Sequence, residues 1–166
     1  DVGRAKTDAA SDALSALDPA IEIETIAASA SSHTLPELLN GVDLVLDGCD
    51  DFETRFAVNA AAVAAGVPLV SGAIGRWDGQ LGVFAPSLAP EAPCYQCWVP
   101  APPPDAERCA EVGVVGALTG VIGAAIALET IKLITGAGEP LVGRLMLYVG
   151  LSGNTRTVVV KKDPAC

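Results

Sequence analysis

One histidine in 166 residues leaves little material for imidazole chemistry. His33 lies in a polar loop, so histidine-based zinc sites are short of ligands and a Ser-His-Asp triad would hang on this residue alone. It reads as a surface residue. Basic side chains are scarce as well: 10 Lys and Arg stand against 20 Asp and Glu, a net charge of −10. Nucleic acid and anionic membrane both call for a basic surface, so neither is expected as a partner. The acidity suits a basic protein partner and equally suits plain solubility, so it identifies no partner by itself. Neither a G-x-S-x-G elbow nor a P-loop occurs.

A clear membrane span is also lacking. The charge-free run Val112 to Leu128 has 17 residues, at the lower end of the spanning range of roughly 17–25. Gly113, Gly116, Gly120 and Gly123 dilute it, Glu111 and Glu129 bracket it, and no basic cluster marks a cytoplasmic side. The run reads as a fully buried helix, packed on a sheet and on a second subunit through the closely spaced Gly116 and Gly120.

What is present describes a globular chain. Apolar residues make up 51% and charged ones 18%, and the length fits one domain with ample core. Five cysteines, an odd number, without a signal peptide indicate a reducing, cytoplasmic setting. The chain opens on Asp1 without methionine and stops on Cys166, so a fragment of a longer protein is expected.

The periodicity predicts an amphipathic helix over Lys6 to Leu17, ended by Pro19, and a strand over Ile21 to Thr25. A short helix at Leu35 to Leu39 follows, then a strand at Asp43 to Asp47, a helix at Phe52 to Ala65 stopped by Gly66, and a buried strand at Pro68 to Ser71. That alternation is the pattern of a parallel sheet with crossover helices. After it come a strand at Gly79 to Phe84, a proline-rich loop from Pro86 to Pro104, and strands at Arg144 to Val149 and Thr155 to Lys161. Gly150 to Gly153 carries the hairpin chemistry between the last two. The fold class is therefore α/β, a Rossmann-like, mostly parallel sheet with crossover helices and an antiparallel C-terminal extension, truncated at its N-terminus. One domain covers 1–166, with the parallel part in 1–75 and the cysteine loop, long helix and antiparallel strands in 76–166.

Three constellations carry chemistry. Asp47, Asp50 and Asp51 cluster where a short buried strand meets a helix. In open α/β sheets ligands bind beyond the carboxyl ends of strands, and acids there can hold Mg²⁺ against nucleotide phosphates. The plainer reading makes Asp51 a helix cap. Cys94 and Cys97 form a CxxC, open to zinc or redox chemistry, but the pair runs into Trp98-Val-Pro-Ala-Pro-Pro-Pro104, which disfavours the helix a redox thiolate needs. Cys166 supplies a third thiolate for tetrahedral zinc. Cys109, beside Arg108 and near a helix start, is either a reactive thiol or an inert loop cysteine. Cys49 reads as a small buried hydrophobe.

Asp47-x-x-Asp50 with Arg55 and Asn59 further along, Val2-Gly-Arg-Ala-Lys6, the CxxC at Cys94 and Cys109-Ala-Glu-Val-Gly113 together resemble the ThiF/MoeB family, relatives of the ubiquitin-activating enzymes. Those enzymes adenylate the C-terminus of ubiquitin-like sulfur-carrier proteins. Nearly all 166 residues match, against the later part of the family domain; the family's G-x-G-x-x-G loop, its ribose-binding acid and a phosphate-contacting arginine belong upstream. The resemblance implies that Asp50 organises Mg²⁺ and ATP, with Asp51 where the family usually has Asn, and that Lys6 touches the phosphates. It also implies zinc on Cys94, Cys97 and Cys166, completed in the family by a second CxxC. Cys109 matches a thiol that in several relatives accepts the carrier or its sulfur. A homodimer and a sulfur-donor protein are implied partners. Arg76 and Gln80 match a recurring stretch with no catalytic role assigned. By itself this segment is expected not to adenylate. A dinucleotide-dependent oxidoreductase and a non-catalytic, zinc-stabilised binding module remain as alternative readings.

Overall fold

The computed structural model describes residues 2–103 and 113–166. The chain divides into two compact units, Asp1–Ala30 and Ser31–Cys166. The first unit contains helix α1 (Lys6–Leu17), which buries none of its residues. The alternating stretch from Ile21 to Thr25 is extended but joins no ladder. Alternation provides a face to cover but no hydrogen-bonding partner, and this unit holds no second strand among its described residues.

The second unit is built on one five-stranded sheet. Its elements run α2 (Leu35–Leu38), β1 (Val45–Asp47), α3 (Phe52–Ala65), β2 (Leu69–Ile74), β3 (Asp78–Phe84), α4 (Tyr95–Trp98), α5 (Gly116–Thr135), β4 (Arg144–Val149) and β5 (Asn154–Val159). The strands lie in chain order, β1 to β5. β1 and β2 are parallel and joined through α3, whereas β2–β3, β3–β4 and β4–β5 are antiparallel. The α/β class, its parallel start and its antiparallel extension are thus all present.

α3 is fixed at both ends by local chemistry. The Asp51 carboxylate accepts from the Thr54 N–H at 2.7 Å, and Gly66 at φ 70° closes the helix in the left-handed region that favours glycine. Beyond it, Val70, Leu81, Val83 and Ala85 form the centre of the core.

α5 lies over β2 and β3, and two glycines let it come close. A Cβ on Gly72 would sit 2.5 Å from Ile126 Cδ1, and one on Gly79 would sit 2.5 Å from two Ile122 atoms. Expected full burial of this helix is not met. Leu118, Ile122 and Glu129 are buried, but Leu128 is 58% and Ile134 69% exposed. The sheet offers one surface, and a cylinder against one surface buries one stripe. α5 is long and apolar enough to cross a membrane by length and composition alone; in this fold its buried stripe faces the sheet. At its C-terminal end the buried Glu129 accepts from the Leu141 N–H at 2.7 Å and pairs with Lys132, which ties the helix to the approach of β4.

Candidate active site and cysteine cluster

The acidic stretch that follows β1 separates into three roles. Asp47, only 3% exposed, accepts from the Ser71 hydroxyl at 2.7 Å, from Arg55 Nη1 at 3.3 Å and from the Cys49 N–H at 2.9 Å. It is a neutralised internal group. Asp51 caps α3. Asp50 is exposed on the connecting turn, and among the described residues no hydrogen bond or ion pair engages it. Of the three, the acid that has no partner among the described residues lies beyond the carboxyl end of a parallel strand.

Arg55 holds this turn in place. The residue is 6% exposed and its Nη2 donates to the carbonyls of Cys49 and Gly72, the latter at 3.0 Å, while Nη1 reaches Asp47 and, at 3.2 Å, Ser71 Oγ. The guanidinium therefore bridges the turn after β1 to β2. It stands where α3's first turns face the sheet, so its planar fork meets acceptors from both strands at once. Tyr95 packs beside it: burial pushes the Tyr95 hydroxyl above its usual range, and the Arg55 guanidinium pulls the other way. Burial also drives the Cys49 thiol up, to about 12, with the Asp47 hydrogen bond and charge adding to it. Cys49 is a protonated, half-buried thiol rather than a nucleophile.

Phe52, Arg55, Ala73, Gln80, Tyr95 and Trp98 line a cavity of about 400 Å³ between α3, the sheet and the proline-rich loop. Asp50 stands outside that lining, on the exposed turn at its edge in sequence.

The second constellation brings together residues 72 apart in the chain. Cys94 Sγ lies 3.8 Å from Cys97 Sγ and 3.6 Å from Cys166 Sγ, and all three sulfurs fall within 4.8 Å of one another. Tetrahedral zinc with bonds of about 2.3 Å places its sulfurs roughly 3.8 Å apart, so the donor set and its spacing fit that ion. Among the described residues no fourth His, Cys, Asp or Glu joins the group. α4 is a single turn that ends at Trp98, before the prolines. Burial raises the Cys94 pKa, but hydrogen bonds from the Cys97 backbone, Cys166, Asn59 and the Gln96 backbone outweigh it, so the net shift is downward. Cys166 moves the other way, to about 11, held up by its bond to Cys94, then by burial and Cys97. The Asp163 N–H points at Cys97 Sγ, 3.3 Å away.

Of the residues singled out in the sequence, Asp50 and Asp51 are thus neighbours on one turn, and the three cysteines converge. Lys6 opens α1, exposed, in the first unit. Cys109 lies outside the described residues. His33 is exposed, as read. Sequence reasoning overlooked Ser71, although a lone polar residue in the apolar run Leu69-Val70-Ser71 was a usable signal. It also left Arg55 and Asn59 without roles.

Comparison with known proteins bears on the family and on the fold. The ThiF family model matches residues 1–166. A sulfur carrier protein adenylyltransferase of Thermus thermophilus is 44% identical over 170 residues, which span 100% of this chain and 63% of that protein. The adenylyltransferase and sulfurtransferase MOCS3 of Drosophila willistoni is 41% identical over 162 residues, 96% of this chain and 35% of that protein. The chain therefore spans less than two thirds of the relatives it matches. The crystal structure of E. coli MccB superposes with a TM-score of 0.83 at 20% identity, over 100% of this chain and 50% of that one. At that identity the likeness establishes the fold.

Proposed function

This chain belongs to the ThiF family, and on that premise we propose that the whole protein uses ATP to adenylate the C-terminus of a ubiquitin-like sulfur-carrier protein. A carboxylate oxygen of the carrier attacks the α-phosphorus of ATP, the bond to the β-phosphate bridge breaks, and pyrophosphate departs. The product is an acyl-adenylate; a sulfur nucleophile of a donor protein, or the thiolate of Cys109, then attacks its acyl carbon, the bond to the phosphate oxygen breaks, and AMP departs. The observation that carries this reading is Asp50: exposed and, among the described residues, unengaged, on a turn that Arg55 fastens to the sheet, while its two acidic neighbours are spent on structure.

Mg²⁺ keeps most of its water and needs only one or two carboxylates besides the nucleotide phosphates, so Asp50 is a sufficient holding group while Asp51 caps α3. The ion would supply electrostatic stabilisation of charge on the phosphate oxygens. Cys94, Cys97 and Cys166 take zinc in a structural role, pinning the α4 loop to the C-terminal segment. The protein works as a homodimer in the cytoplasm. The apolar face that α5 turns away from the sheet supports the dimer, because Leu128, Ile131 and Ile134 are exposed along it.

The test is carrier-dependent ATP–pyrophosphate exchange by the full-length protein. Asp50→Ala should lower it about 10²–10³-fold, the usual cost of losing one electrostatic contact at a reacting centre. Exposed as it is, the same substitution should leave stability within about 0.5 kcal/mol. Exchange that survives Asp50→Ala at the wild-type rate removes the assignment.

A further inference from the structure

Gln80 is a polar residue that neither the acidic turn nor the cysteine cluster uses. It sits mid-strand in β3, with β2 paired on one side and β4 on the other. The preceding Gly79 faces α5, with Ile122 against it, so by strand alternation Gln80 points to the opposite face of the sheet. There it belongs to a single cross-strand row: Ala73 on β2, Gln80 on β3, Leu147 on β4 and Arg156 on β5 are successive ladder partners. Gln80 is half-buried, and among the described residues no hydrogen bond engages its amide.

Two cavities meet at this residue. One of about 470 Å³ lies over the outer part of the face and takes in Leu147 and Arg156. The other is the cavity of about 400 Å³ beside α3, with Arg55 and Phe52 in its wall. Ala73 and Gln80 line both, so they stand at the junction. From Arg156 to Ala73 the row spans roughly 14 Å, the length of about four extended residues.

We propose that the C-terminal tail of the carrier takes this path, from the open sheet face past Gln80 to the acidic turn, and that the Gln80 amide fixes its register by accepting from one peptide N–H and donating to one peptide carbonyl. The backbone of β3 cannot do this, because its own N–H and C=O groups are spent on β2 and β4. A chain lying on such a face finds hydrogen bonds only from side chains, and an amide carries donor and acceptor together. Elsewhere in the row Ala73 and Leu147 offer neither, and Arg156 offers donors alone. Fixing one peptide group there sets how far the terminal carboxylate reaches, which attack on phosphorus requires. The inference rests on carrier adenylation as proposed above.

The experiment uses the full-length protein and the ubiquitin-like sulfur carrier of the same organism, intact and with its last four residues removed. Calorimetric titration gives the affinities. Gln80→Leu should bind the intact carrier about 10-fold more weakly, the cost of leaving peptide groups without a partner, and should bind the shortened carrier as the wild type does. Gln80→Glu keeps the shape and the acceptor but loses the donor, so it too should weaken the intact carrier; it supplies the answer where the leucine variant folds poorly. In pyrophosphate exchange the KM for ATP should stay at the wild-type value in Gln80→Leu. Equal affinity of wild type and both variants for the intact carrier overturns the role of Gln80. So does an equal loss with the shortened carrier, which puts the contact on the carrier's body. A raised KM for ATP with carrier affinity unchanged assigns the amide to the nucleotide and overturns it as well. Wild-type protein that neither binds the carrier nor exchanges pyrophosphate in its presence overturns the proposed function itself, and this inference with it.

Discussion

Replacing Arg55 with methionine tests the reasoning about the acidic turn most severely. Methionine fills a comparable volume and tolerates an irregular cavity, so the loss is chiefly of charge and hydrogen bonds. Four acceptors lose their donor at once: Asp47, Ser71 Oγ and the carbonyls of Cys49 and Gly72. Asp47 is the costly one. At 3% exposure it would remain a buried carboxylate with only the Ser71 hydroxyl and the Cys49 N–H for company. Removing one partner of a buried ion pair costs roughly 3–5 kcal/mol. Against a typical total of about 5–15 kcal/mol, that is enough to leave a marginal protein partly unfolded. Urea denaturation followed by circular dichroism measures it: with a slope of about 1–3 kcal/mol per molar, the midpoint should drop by a molar or more. The double variant Arg55→Met with Asp47→Asn separates charge from hydrogen bonding. Once the carboxylate is gone its desolvation cost disappears, so the double variant should be more stable than Arg55→Met alone. A loss below about 1 kcal/mol in Arg55→Met, or a double variant that is merely the sum of two losses, refutes the view that Arg55 neutralises Asp47.

Two further outcomes follow from the same stretch. Asp51→Ala should cost about 1 kcal/mol through loss of the α3 cap, while Asp51→Asn, which caps equally well, should cost far less; equal losses in thermal melts would mean that the bond to Thr54 contributes nothing. Cys49 sets a pH dependence. Its thiol sits at about 12 in the folded state against 9.0 in the unfolded chain, so between those values the folded protein holds the extra proton. Its contribution is therefore complete below pH 9 and declines as pH rises toward 12, and a Cys49→Ala variant should lack that part of the alkaline decline. Parallel pH titrations of stability for the two proteins, falling identically above pH 9, would contradict the assignment.

How much of this was legible beforehand depended on how local the causes were. Lys6–Leu17, Phe52–Ala65 and Arg144–Val149 appear in the structure with the ends read from sequence, because caps, glycines and prolines next to each element set those ends. The stretch from Ile21 to Thr25 had the right alternation and no partner, and pairing is a property of other parts of the chain. α5 runs Gly116–Thr135 where the charge-free run stopped at Leu128, since Glu129 and Lys132 continue the helix through a pairing that composition does not display. Its one-sided burial depends on what the sheet covers, which no helical pattern states when every face is apolar.

The site shows the same division. Three acids in five residues announced a special turn, and the CxxC announced a thiolate pair. Which acid is free was decided from outside the turn, by Ser71, 24 residues from Asp47, and by Arg55, eight residues from it. The third thiolate arrives from 72 residues beyond Cys94. Long-range partners set the roles, and they act here through one helix: Arg55 fastens the acidic turn, and Asn59, one turn later, fastens the cysteine loop. An Arg and an Asn four residues apart on an apolar face look in sequence like two separate tolerated polar residues. In the fold they are two ends of one brace, and that coupling explains why both positions are buried although neither side chain is apolar.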